Sequence, residues 1–297
     1  MNDLLSRNKK ADYIIITPVK NEEKFIKYTL DSVSNQENKP VQWIIVNDGS
    51  SDNTESIIDH HAKDFPWIKK VNLENQGFRA GVGPAAAFNK GLRYIDCDYD
   101  YIVNLDGDVS FAADYFSGLF KEFDKDSKLG VVSGKSYYLV KGRKELYRCA
   151  DDSTMGPSKV YRKQCFLDIG GCLDENVWWD MLDDLRAQKN GWTTRSFKDI
   201  HFIHHKRIGW CQGNALKVYY GEGRVAYEFG YHPLFACVRS VYRMLDKPYI
   251  LGSLSYMAGF IHAAITKRPR LIEPEMMVFL RKRQMRKISA LLKGRKN

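Results

Sequence analysis

The chain has 297 residues, 44% of them hydrophobic and 28% charged, proportions ordinary for a folded protein with one large core or a core plus an appendage. Its six cysteines (Cys97, Cys149, Cys165, Cys172, Cys211, Cys237) are scattered without a Cys-x-x-Cys pair, which argues against zinc and disulfide frameworks and for a reducing compartment. The net charge of +10 is concentrated at the end: from Lys267 onward eleven basic residues stand against only Glu273 and Glu275. Such a tail suits anionic lipid, phosphorylated substrates or nucleic acid, but no nucleic-acid module accompanies it.

Met1 to Lys10 is polar and lacks the apolar run of a signal peptide, so a cytoplasmic location is expected. Tyr13-Ile14-Ile15-Ile16 reads as a buried strand, Thr17 to Glu23 as a loop and Phe25 to Val33 as an amphipathic helix. A second unit repeats the pattern: strand Val41–Val46, a polar turn Asn47–Asp52, and a helix from Asn53 to Ala62. Val71 to Leu73 is a short strand, Gly77 to Pro84 a glycine-containing loop, and Ala85 to Tyr94 a packed helix. No Gly-x-Gly-x-x-Gly follows the first strand and no Walker lysine motif occurs, which argues against dinucleotide oxidoreductases and P-loop NTPases.

Tyr101-Ile102-Val103-Asn104-Leu105 is another apolar strand, and it stops at Asp106-Gly107-Asp108. Strands alternating with helices predict a mostly parallel, doubly wound sheet, in which ligands bind beyond the carboxyl ends of the strands. Thr17–Glu22, Asn47–Asp52 and Asp106–Asp108 should therefore converge on one crevice. Paired carboxylates there suit Mg²⁺ or Mn²⁺ arriving with a substrate's phosphates, and an Asp-Gly turn is the alternative.

With these pieces in order, the sequence resembles glycosyltransferase family 2, whose members have the nucleotide-sugar-binding GT-A fold. The resemblance rests on Ile14 to Glu22, Val46 to Thr54, Asn75-Gln76-Gly77 followed by Ala87 to Gly91, and Asp106-Gly107-Asp108. It implies that Pro18, Glu22 and Asp48, with Thr17 beside them, hold the base and ribose of a nucleotide-diphosphate sugar, a UDP-sugar by frequency in the family. Asp106 would lie near ribose and metal, and Asp108 would ligate Mn²⁺ or Mg²⁺ at the diphosphate. Arg79, in a stretch longer than the family spacing, is either a diphosphate contact or a solvated loop residue.

Beyond this point Val131 to Tyr138 reads as a strand and Lys141 to Glu145 as a charged turn. Asn176 to Ala187 resembles the family's acidic helix start, where one carboxylate deprotonates the acceptor in an inverting reaction. Asp180 is the first choice for that base and Asp183 the second, and acids at a helix N-terminus are favoured electrostatically in any case. Trp178 and Trp179 either stack on a sugar or pack in the core. In His201-Phe202-Ile203-His204-His205, alternation sends His204 and His205 to opposite faces, so at most one of them reaches the site. His204 is preferred, and the resemblance implies a metal or diphosphate contact for it, with Lys206 or Arg207 near phosphate. The Gln-x-x-Arg-Trp motif of the processive polysaccharide synthases is absent, pointing to transfer of one sugar.

Tyr249 to Ile265 carries no formal charge, yet it is short for a membrane span and contains Ser, Gly and His. Between Lys247 and Lys267-Arg268 it suits an anionic membrane surface or a buried core helix. The expectation is a GT-A catalytic domain over 1–215, with a donor half to about 110 and an acceptor half after it, then a helical, basic region over 216–297. The acceptor would be a glycan or lipid-linked saccharide. A polyprenyl phosphate acceptor, a nucleotidyltransferase, or a non-enzymatic membrane or nucleic-acid adaptor on an inactive scaffold are the alternatives.

Overall fold

The computed structural model describes residues 10–75, 77, 82–140, 142–172, 179–206, 215–245 and 248–294. The chain divides into two compact units, Met1–Lys206 and Arg207–Asn297.

The first unit is built on β1 (Tyr13–Val19), β2 (Gln42–Asn47), β3 (Ile68–Asn72) and β4 (Tyr101–Leu105), with α1 (Ile26–Ser34), α2 (Thr54–Ala62) and α3 (Val82–Leu92) between them. These four strands are mutually parallel, in the order β3-β2-β1-β4. Alternate residues of β1 go to opposite cores: Tyr13 and Ile15 pack with α1 and α2, Ile14 and Ile16 with α3. That two-sided burial is why the strand reads as a continuous apolar run.

The acceptor half continues through β5 (Val109–Phe111), α4 (Tyr115–Lys125), β6 (Leu129–Val140), β7 (Arg143–Leu146), β8 (Ser158–Arg162), α5 (Lys163–Asp168), α6 (Trp179–Lys189) and β9 (Thr193–His204). The expected charged turn at 141–145 is largely β7, which pairs antiparallel with β6. All four of its residues are exposed, so no apolar alternation marks it as a strand.

The full order is β3-β2-β1-β4-β8-β6-β9-β5, with β7 on β6. Chain connectivity makes this order curl. Four inter-strand steps of about 4.8 Å would set β5 about 19 Å from β4 in a flat sheet. Only Asp106, Gly107 and Asp108 join these two strands, a reach of at most about 14 Å. The sheet therefore wraps until β9 and β5 return to the end of β4, and the Asp-Gly-Asp segment closes the wrap. Gly107 is needed there, because a Cβ would lie 2.7 Å from the Val19 side chain.

The second unit contains α7 (Ala215–Glu228), α8 (Pro233–Arg243), α9 (Ile250–Ile265) and α10 (Pro274–Leu292). No described helix is long and apolar enough to cross a membrane.

One buried side chain of α1 fixes the closing segment. Thr29, fully buried, donates its hydroxyl to the Val109 carbonyl at 2.9 Å and accepts from the Val109 amide at 3.0 Å. Thr29→Val keeps the shape and strands both backbone groups, so urea denaturation should show a loss of about 2 kcal/mol. A variant as stable as the parent would show that this bridge contributes nothing.

Candidate functional site

The loops after β1 and β2 are tied to each other by their own polar groups. The Ser50 hydroxyl accepts from the Asn21 amide at 3.0 Å, the Asn21 side chain accepts from the Ser51 amide at 2.8 Å, and the Thr54 hydroxyl accepts from the Glu22 amide at 2.7 Å. Gly49 sits at φ +67°, where a Cβ would also press on the Asn75 backbone at 2.5 Å. Asp48, nearly buried, lies 3.7 Å from the Lys20 ammonium. Lys20 also donates to Asn75 Oδ1 and to the Gly77 carbonyl, each at 3.0 Å, joining a third loop to the first two.

Against this edge the curled sheet delivers β9. Val109 pairs with His204, so the residue before β5 and the last residue of β9 are neighbours. His204 Nε2 is 3.1 Å from the Asp108 carboxylate, and ligand atoms of Asp106, Asp108 and His204 all fall within 4.8 Å of one another. Asp108 and His204 are buried, and Asp106 is half-buried. The two hard carboxylates suit Mn²⁺ or Mg²⁺, and His204 adds an imidazole nitrogen beside them. The His204 Nδ1 is buried without a hydrogen-bond partner among the described residues, so the ring has polar capacity left over. Burial by itself would push the His204 pKa down; the bond to Asp108, with the charges of Asp108, Asp106 and Glu22, holds it above its ordinary value.

Glu22 stands at the same edge. Burial pushes its carboxyl pKa up, the bond from Lys206 at 2.8 Å draws it back, and the Asp108 charge adds to the upward push. Its second oxygen is buried with no partner among the described residues. His205 faces the other way, as alternation requires: its ring stacks on Tyr28 at 4.1 Å and bonds the Ser110 hydroxyl at 2.8 Å.

Glu22, Asp106, Asp108 and His204 are thus brought together. Thr17 is not among them: it is fully buried and its hydroxyl accepts from the Trp43 indole at 2.8 Å, leaving its polar atom engaged inside the sheet. Pro18 pairs with Val46 at the carboxyl ends of β1 and β2. Arg79, Trp178 and the side chains of Trp179 and Asp180 lie outside the described residues. Asp183 is fully buried and accepts the Tyr161 hydroxyl at 2.8 Å. Its neighbour Asp184 accepts from the Thr154 amide at 2.7 Å and from the buried Lys159 ammonium at 3.2 Å. Two contributors were not foreseen in the sequence. Tyr138 lays its ring 5.6 Å from that of His204, and Lys20 links Asp48 to Asn75. Neither has a local signal, since both depend on contacts between distant strands and loops.

A family model described as Glycosyl transferase family 2 matches residues 14–174. A poly-beta-1,6-N-acetyl-D-glucosamine synthase of Staphylococcus epidermidis is 37% identical over 114 residues, a match covering 38% of this chain and 26% of that protein. Among solved structures, a mannosyltransferase from Pyrobaculum calidifontis in complex with GDP-Man and Mn²⁺ superposes with a TM-score of 0.58 at 17% identity, covering 96% of this chain and 81% of that one. Staphylococcus aureus TarS in complex with UDP-GlcNAc does so with a TM-score of 0.55 at 18% identity, covering 91% and 78%. At such identities the likeness establishes the fold, which is GT-A.

The raised His204 pKa sets a sign for stability. A histidine raised on folding stabilises fully below the unfolded value of 6.5 and loses that contribution as pH climbs through the higher native value. In chelator-treated protein, the stability advantage of the parent over His204→Asn should therefore shrink as pH rises above 6.5, followed by urea melts across pH. A gap independent of pH would contradict the assigned contact with Asp108.

Proposed function

The chain belongs to glycosyl transferase family 2, and from that premise we propose that it moves a single sugar, with inversion, from a nucleoside-diphosphate sugar to a hydroxyl of a glycan or lipid-linked saccharide precursor. The observation that carries this reading is the Asp106, Asp108 and His204 cluster at the strand ends, beside the loops of Glu22 and Asp48. Solved neighbours bind GDP-Man and UDP-GlcNAc, which supports a nucleotide-sugar donor. A uridine diphosphate sugar is the preferred one.

In this reading Asp106, Asp108 and His204 hold Mn²⁺ or Mg²⁺, which when bound neutralises charge growing on the diphosphate as the glycosidic bond breaks. Pro18, Glu22 and Asp48 seat the base and ribose, and Arg79 reaches the diphosphate. Asp180, at the start of α6, takes the proton of the attacking hydroxyl from the face opposite the leaving nucleotide. Asp183 is the alternative base, and its burial against Tyr161 favours Asp180. The acceptor is met at the inner face of the cytoplasmic membrane. The relative from Staphylococcus epidermidis bears a polymer synthase's name, but the match takes in only 26% of it. The missing Gln-x-x-Arg-Trp motif favours single addition here.

Incubation with donor and either a lipid-linked saccharide or a polyprenyl phosphate tests the reaction. Nucleoside diphosphate should be released and the saccharide extended by one residue. Extension of the lipid phosphate alone would move the acceptor assignment, and pyrophosphate release from a nucleoside triphosphate would overturn the reading. Asp180→Asn should lower kcat by about 10²-fold or more with donor binding retained. Asp183→Ala should mainly cost stability, about 1–3 kcal/mol from the lost Tyr161 bond. The opposite pattern would exchange the two roles.

A further inference from the structure

Two helices of the second unit, α8 and α9, are built inside out. On α9 the buried positions are Gly252, Ser253, Tyr256, Gly259, Phe260 and Ala263, mostly small or polar-tipped residues. The outward positions Ile250, Leu254, Ile261 and Ile265 follow one another at helical spacing and are 60%, 59%, 49% and 75% exposed. The neighbouring α8 repeats this arrangement. It buries Ala236 and Ser240, while Leu234 and Val241, followed by Leu245 just past its end, are 47%, 61% and 67% exposed. A water-facing helix places its aliphatic residues the other way round.

The interior has the matching character. A Cβ on Gly223 of α7 would overlap the Tyr256 carbonyl oxygen, and one on Gly259 would overlap that of Tyr220, so the α7 and α9 backbones touch. Between α8 and α9 the buried hydroxyls of Ser240 and Ser253 bond each other at 2.6 Å, and between α9 and α7 Ser255 donates to the Leu216 carbonyl at 2.7 Å. Glycine-mediated backbone contact and serine bonds between helices are how helices associate where hydrocarbon is the solvent. With 16 residues, α9 is about 24 Å long, shorter than the roughly 30 Å bilayer core.

Charge selects the occupant. Lys267, Arg268 and Arg270 follow α9 directly, and Arg281, Lys282, Arg286 and Lys293 line a groove along α10 together with Val278 and Met285. A second copy of this chain brings the same excess of cations from Lys267 onward, whereas an acidic bilayer brings the opposite charge. An acidic bilayer satisfies both features at once. We propose that α8 and α9 are a monotopic docking element, seating their outward aliphatic faces in the interfacial layer of an acidic phospholipid bilayer while the cations after α9 and on α10 meet the headgroups. The element lies wholly within the second unit, so docking and sugar transfer can each fail without the other.

Flotation of the full-length chain with vesicles of phosphatidylcholine plus phosphatidylglycerol, and of phosphatidylcholine alone, tests this directly. The parent should float with the acidic vesicles. Leu254→Glu with Ile261→Glu, at exposed positions that leave the fold intact by circular dichroism, should reduce the bound fraction at least about tenfold. Lys282→Glu with Arg286→Glu should remove the preference for acidic lipid. A parent that stays unbound, or a Leu254→Glu/Ile261→Glu protein that floats like the parent, overturns the proposal. A parent that does not float but forms a dimer abolished by that double substitution assigns the face to self-association and overturns it equally.

Discussion

The constraint on which the first unit depends is the short tether between β4 and β5. Three residues must cross from the middle of the strand order to its far edge, and the sheet has to curl for them to do so. The same curl brings residue 204 to residue 109, which places an imidazole against a carboxylate 96 positions away in the chain. Strand closure and site assembly are therefore one event, and Thr29 secures both by holding Val109 from the side of α1.

This coupling explains why the polar residues tolerate burial. Asp108 and His204 are 5% and 3% exposed, an expensive placement for two ionisable groups unless each satisfies the other. Glu22 and Lys206 form a second, more exposed pair at the same edge, joining the loop after β1 to the residues that follow β9. Both pairs span from the donor half to the strand that closes the sheet. A nucleoside diphosphate and its cation would enter among charges already held in position, so little reorganisation is needed at the moment of bond breaking.

Much of the donor half was legible because its signals are local. Two-sided burial makes β1, β2 and β4 near-continuous apolar runs, and cap-rich turns mark the strand ends, so the convergence of the loops that carry Glu22, Asp48 and Asp106 follows from topology alone. Alternation also assigned His204 and His205 to opposite faces. What was illegible depends on distant contacts. Val109-Ser110-Phe111 is too short to announce a strand, and β7 is exposed on every residue. Thr17 lies in a site motif by sequence, yet its hydroxyl is taken by Trp43 across the sheet. The acids of α6 look alike in sequence, and only packing separates Asp183, against Tyr161, from Asp184, against Lys159 and Thr154. The uncharged run before Lys267 left open a membrane surface or a core, and the outward aliphatic stripe of α9 favours the former.

The central claim is that the strand-end cluster holds a divalent cation together with a nucleoside diphosphate. Isothermal titration with uridine, guanosine and thymidine diphosphates, each with and without Mn²⁺, tests it most directly when repeated on Asp108→Ala. Metal-dependent binding of one nucleotide, uridine diphosphate first, is expected in the parent and lost in the variant while its fold persists. Nucleotide binding that is equally tight without metal and in Asp108→Ala would contradict it.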